Sequence, residues 1–180
     1  MTPYIDLWNN LNSFDNGTDK YDNSLIESVA SGQLDMLKYF IEHRTQHSKE
    51  CFQKALIQAA ECGRLEIVKY LVEKCGVDAR FEEDYLLCVS ARNDAFEVVK
   101  YLVEDCKADV HTHDDMALRI SMEYKRKDIM KYLIEKCGAN VHAGESFLLR
   151  RYLTTYYKNK MENFDFYFYE YVKSKFFQTP

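Results

Sequence analysis

The feature that most constrains this chain is an eight-residue phrase that occurs four times. It reads Asp35-Met36-Leu37-Lys38-Tyr39-Phe40-Ile41-Glu42, Glu66-Ile67-Val68-Lys69-Tyr70-Leu71-Val72-Glu73, Glu97-Val98-Val99-Lys100-Tyr101-Leu102-Val103-Glu104 and Asp128-Ile129-Met130-Lys131-Tyr132-Leu133-Ile134-Glu135. Its Lys-Tyr pair falls at 38, 69, 100 and 131, each 31 residues after the last. Self-similarity at a fixed period of a few tens of residues is the mark of a stacked repeat array. The spacing therefore predicts a helical solenoid.

The phrase also says how the stack is held. In its second copy Ile67, Val68, Leu71 and Val72 form an apolar stripe on a 3.6-residue period, with Glu66, Lys69 and Glu73 opposite. Such a helix buries its stripe only against a neighbouring copy, so stability becomes a sum over nearest-neighbour contacts. Tyrosine at the stripe's border suits a ring on apolar neighbours and a hydroxyl at water.

Each repeat reads as two helices. The first pairs Ser24 to Ala30 with Leu34 to His43, and the second pairs Cys51 to Glu61 with Leu65 to Lys74. The third pairs Tyr85 to Arg92 with Phe96 to Cys106, and the fourth Met116 to Tyr124 with Asp128 to Cys137. Ala59 and Ala60 let helices approach closely, and Gly76 suits a left-handed helix stop. A degenerate fifth repeat opens at Ser146-Phe147-Leu148-Leu149, in register by 31. Residues 1–20 stand outside the repeat: Thr2-Pro3 starts a short helix with Ile5, Leu7, Trp8, Leu11 and Phe14 apolar, an N-terminal cap. Residues 21–158 carry the repeats. Residues 159–180, with Phe164-Asp165-Phe166-Tyr167-Phe168-Tyr169, read as an aromatic C-terminal capping helix; an exposed docking surface and a strand are the alternatives.

Composition narrows the function classes. The formal net charge is −5 and no stretch interleaves basic and aromatic residues, so nucleic acid is not an expected partner. No apolar run approaches the roughly 20 residues of a membrane span, and the acidic N-terminus does not resemble a signal peptide. An intracellular chain is expected. Of the six cysteines, Cys75, Cys106 and Cys137 follow the 31-residue period, while Cys51, Cys62 and Cys88 form no metal-binding pair. All six read as reduced structural thiols.

The run from Ala59-Ala60-Glu61-Cys62-Gly63-Arg64-Leu65-Glu66 to Cys75-Gly76-Val77-Asp78 resembles the ankyrin repeat, in which a double alanine ends the first helix and a Gly-His-Leu-Glu-type turn opens the second. The resemblance covers roughly residues 22 to 155. The Lys-Tyr-Leu phrase, with the endings Asp109-Val110-His111 and Asn140-Val141-His142, most resembles the divergent ankyrin proteins of giant DNA viruses of amoebae. It departs from the family in two respects. The usual period is about 33; here the interhelical loop is shorter by about three residues and about one is added at Lys74-Cys75, which recovers 31. The Thr-Pro-Leu-His opening is replaced in every copy, as by Tyr85-Leu86-Leu87-Cys88, and the only prolines are Pro3 and Pro180. Long β-hairpin fingers are therefore not expected.

No phosphate loop, nucleophile elbow or His-Glu-x-x-His motif occurs, so no catalysis, cofactor or metal is expected. His43 and His47 have the spacing of two ligands on one helical face, but Arg44 and Thr45-Gln46 indicate that the helix has ended between them, and nearby third and fourth ligands are missing. Glu82-Glu83-Asp84 read as acids favoured by a helix N-terminal dipole. The resemblance implies protein binding through loop tips and the exposed face of the first helices. Carried over by position, the tips are Arg80, Phe81, Glu82 and Glu83, then His111, Thr112, His113 and Asp114, then His142, Ala143 and Glu145. The helix positions are Glu61 and Cys62, Arg92 and Asn93, Glu123 and Tyr124. These vary between copies while the core phrase does not. Phe81 is either an exposed aromatic anchor or a side chain tucked against the next helix.

The expected function is a non-catalytic protein-interaction module with an acidic rim suited to a partner with a basic face. The viral resemblance implies a host protein as partner and the host cytoplasm as location. Two rival readings remain at this level: assembly or self-association through the aromatic C-terminal segment, and a ubiquitin-ligase adaptor, which some viral relatives with an F-box-like segment suggest.

Overall fold

The computed structural model describes residues 20–42 and 48–140. Of the sequence expectations, all of the N-terminal cap but Lys20, together with His43, His47, His142, Ala143, Glu145, the fifth repeat and the aromatic segment, lies outside the described residues. Within them the chain forms eight α-helices in four pairs and no strand. They are α1 Lys20–Ala30, α2 Leu34–Glu42, α3 Lys49–Glu61, α4 Leu65–Glu73, α5 Phe81–Arg92, α6 Phe96–Glu104, α7 Thr112–Glu123 and α8 Lys127–Glu135. Each pair is one copy of the repeat, and the all-α solenoid read from the 31-residue period is the architecture observed.

The repeated phrase sets the core. Leu37, Val68, Val99 and Met130 occupy one position of the phrase, and Leu71, Leu102 and Leu133 another; all seven are fully buried. Burying one such side chain contributes about 1.5–3 kcal/mol, so the stack is held by many equivalent contributions. First helices (α1, α3, α5, α7) pack closely along the array, whereas second helices touch their neighbours more sparingly. Small residues make the closer layer possible: Ala59, Ala60, Ser90, Ala91 and Ser121 are fully buried at its contacts. The serines bond their own helices, Ser90 Oγ to Leu86 O at 2.8 Å and Ser121 Oγ to Leu118 O at 2.7 Å. They therefore leave no unpaired hydroxyl in the core.

Helix ends repeat as faithfully. After each first helix one residue is left-handed, namely Gly32, Gly63, Asp94 (φ 63°) and Lys125 (φ 57°). The next amide closes back on the helix, as Arg64 N to Ala59 O at 2.8 Å and Ala95 N to Ser90 O at 3.0 Å. After the second helices the same role passes through Gly76, Lys107 (φ 58°) and Gly138. Gly76 stops its helix as its position predicts. Asp94, Lys107 and Lys125 hold the same backbone with a side chain, at a cost of order 1 kcal/mol each.

Tyrosines of the phrase do more than border the stripe. Tyr101 Oη donates to Glu73 Oε1 at 3.1 Å, and Tyr132 Oη to Glu104 Oε1 at 2.9 Å. The hydroxyl expected at water thus reaches the glutamate that ends the previous copy of the phrase, tying second helix to second helix. Burial is the main reason both phenols titrate well above their ordinary range.

Candidate partner-binding surface

The surface is built where the chain passes from one repeat to the next. At the start of α5 and of α7, inside the ranges given above, the backbone makes a turn of three left-handed residues: Glu82, Glu83 and Asp84 (φ 49°, 54° and 63°) and His113, Asp114 and Asp115 (φ 51°, 58° and 53°). Left-handed α geometry costs a non-glycine residue about 1–2 kcal/mol, so something must hold each turn. The third residue does. Asp84 is 4% exposed; its Oδ1 lies 3.0 Å from Arg80 Nε, and its Oδ2 accepts from the Asp109 amide at 2.9 Å. Asp115 is equally buried, 2.9 Å from His111 Nδ1, and accepts from the Asn140 amide at 3.1 Å. Each carboxylate therefore receives a side chain four residues back and the backbone of the following link. A second aspartate starts each link: Asp78 accepts the Arg80 amide at 2.8 Å and Asp109 accepts the His111 amide at 2.9 Å.

This corrects one sequence reading. Glu82, Glu83 and Asp84 are not the right-handed first turn of a helix stabilised by its dipole; regular helix begins at Tyr85, where the expected helix also began. By contrast α3 starts conventionally, with Ser48 Oγ accepting the Cys51 amide at 3.0 Å. The link lacks glycine, and alternation of acids gives no sequence signal for a left-handed turn. Asp84 and Asp115 were missed as positioning residues for that reason, although their 31-residue spacing could have singled them out.

Of the expected tip residues, Arg80, Glu82, Glu83, His111, His113 and Asp114 are exposed, and Thr112 is half-buried. Phe81 is not an exposed anchor. It is 9% exposed and meets Tyr85 edge to face with ring centroids 6.2 Å apart, so the inward alternative is the one realised. Two tips touch directly, His113 Nε2 lying 2.9 Å from Glu83 Oε2. The expected helix positions form a separate row. Arg92, Asn93, Glu123 and Tyr124 are exposed there, and Arg92 covers the Tyr124 ring at 5.3 Å from its centroid. Burial raises the Glu61 carboxyl above its usual range, partly offset by Arg92.

The two rows sit at opposite ends of the first-helix layer, about 10 Å apart given a rise of roughly 1.5 Å per residue. Between them α5 offers no open face, since Tyr85 through Ala91 are all buried. Burial also pushes the Tyr85 phenol up to about 12. Along α5, therefore, only the two edges are open.

Nothing in this arrangement resembles reactive chemistry. Cys75, Cys106 and Cys137 are half-buried, and desolvation pushes each thiol up, which disfavours the nucleophilic thiolate. Among the described residues no group of His, Cys, Asp and Glu could hold a metal ion, and no helix is long and apolar enough to cross a membrane.

Residues 5–83 match the family model described as ankyrin repeats (3 copies). A search of curated proteins finds no match. The recurring phrase, the stacked helix pairs and this match together support the ankyrin repeat family, whose repeats generally act as protein–protein interaction modules.

Proposed function

We propose that this chain is a non-catalytic recognition module that presents the exposed tips at the starts of α5 and α7, with the row at Arg92 and Tyr124, to a protein carrying a basic face. The observation that carries the reading is the pairing of variable exposed side chains with an invariant buried carboxylate beneath them. Because Asp84 and Asp115 fix each tip before any partner arrives, association loses less ordering entropy and a modest contact set gives useful affinity. Glu82, Glu83 and Asp114 give the tips an acidic surface, which speeds encounter with a basic partner and makes binding salt-dependent. The resemblance of the phrase to giant-virus ankyrin proteins supports a host protein as that partner, met in the host cytoplasm.

The test is capture from host lysate with three forms of the chain: wild type, a tip variant (Glu82→Lys with Asp114→Lys) and an edge variant (Arg92→Ala with Tyr124→Ala). A host protein held by wild type, weakened in either variant at unchanged melting, is the expected result. Recovery of only the chain itself would replace this reading with the assembly one.

A further inference from the structure

A groove of about 440 Å³ lies on the other side of the array from the first-helix contacts, between the second and third repeats. Its floor is apolar, made by Val72 at the end of α4 and by Val77 and Ala79 in the link that follows. Its rim is acidic, with Glu73, Asp78 and Asp105 all exposed. Arg80 also reaches the groove, but its guanidinium is held by Asp84 through Nε at 3.0 Å and a terminal nitrogen at 3.3 Å. We propose that this groove binds a lysine or arginine side chain of a protein partner, its stem on Val72 and Val77 and its cationic head among Glu73, Asp78 and Asp105.

Two observations commit the groove to a cation. The first is the balance of charge: three carboxylates line it against one arginine already paired. Long basic side chains suit such a site, because they lay an apolar stem on hydrocarbon and leave the head at the polar rim. The second is Asp105 itself. It caps the C-terminal end of α6, where Lys74 caps α4 and Lys136 caps α8. A carboxylate at a helix C-terminus opposes the helix dipole, and a lysine there is favoured. Asp105 is thus the one of the three caps whose charge works against its own helix, and it is the one on the rim of the groove. The Tyr101 ring already carries Lys69 at 5.7 Å from its centroid, so the ligand uses carboxylates in preference to the ring face.

The inference rests on the protein-binding reading only for the class of ligand, and of the tip residues only Arg80, already held by Asp84, reaches the groove. The test is a nuclear magnetic resonance titration of the full chain with an arginine tripeptide, its termini blocked, and with the matching glutamate tripeptide as control. The Val72 and Val77 methyls should shift and saturate with the arginine peptide alone. Asp105→Lys, which restores the neighbours' cap, should weaken binding about tenfold and raise the melting temperature by about 1–3 °C. Unchanged titration of Asp105→Lys, or shifts spread evenly over every acidic surface, would overturn the proposal. The tip variant of the previous section should titrate like wild type, so failure of one idea is distinguishable from failure of the other.

Discussion

The link entering α5 and the link entering α7 follow one backbone path with different side chains closing it. Position by position, Arg80 is matched by His111, Phe81 by Thr112, Glu82 by His113 and Glu83 by Asp114, while Asp84 and Asp115 stay the same. In the first link the Phe81 ring packs on Tyr85; in the second the Thr112 hydroxyl donates to Asp109 O at 2.8 Å. The cation beside the buried carboxylate is a permanent guanidinium in one and an imidazole in the other. What persists is the group that satisfies the next repeat's backbone; what varies is everything facing water. A recognition surface can therefore change without disturbing the joint that holds it.

Substitutions within each link would break this comparison in a graded way. Phe81→Ala should cost the most, about 3 kcal/mol for a buried phenylalanine, whereas Thr112→Ala should cost about 1 kcal/mol; thermal melts of the two variants give the ratio. Asp84→Ala comes next, at about 2–3 kcal/mol, because it strands a backbone donor and a guanidinium. Asp115→Ala should cost somewhat less, about 2 kcal/mol, since the Thr112 hydroxyl that lies 3.5 Å from Asp84 is matched in sequence by Ala143.

The cation sharpens the contrast. An imidazole carries a full charge only in acid, a guanidinium always. His111→Arg, which offers Asp115 the fork that Arg80 offers Asp84, should stabilise the chain by about 0.5 kcal/mol, read from denaturant melts. Asp94→Gly and Lys125→Gly should each add about 0.5–1 kcal/mol by relieving a left-handed side chain. The smallest effect concerns Glu61. Its folded carboxyl is raised by burial, so the native form holds the proton more tightly and stability falls as pH rises through that window. Glu61→Gln should be slightly more stable than wild type at neutral pH and equal to it in acid below the ordinary carboxylate range.

The contrast between the layers also explains what the sequence revealed. The second helices were legible almost residue by residue, because burial of Val68, Leu71 and their equivalents forces the same apolar residues into every copy. The helix stop at Gly76 was legible for a local reason, the backbone freedom of glycine; Asp94, Lys107 and Lys125 occupy the same conformation unannounced. The exposed positions Glu83, His113, Arg92 and Tyr124 were found through the family resemblance. Their grouping into two edges was not, because it depends on burial of the middle of α5. The left-handed turns were illegible because a tertiary contact decides them, a carboxylate finding an amide 25 residues away at Asp109; for Phe81 the sequence leaves two alternatives open, and it is drawn inward beside Tyr85, four residues on.

The central claim is that the tips are fixed before binding by the carboxylates beneath them. Amide hydrogen exchange of the free chain at Asp109 and Asn140 tests it most directly, since these amides donate to Asp84 and Asp115. Slow exchange is expected at both, with Asp84→Ala releasing Asp109 while Asn140 stays protected. Fast exchange at both in the wild-type chain would contradict it, because tips that open freely are not organised in advance of a partner.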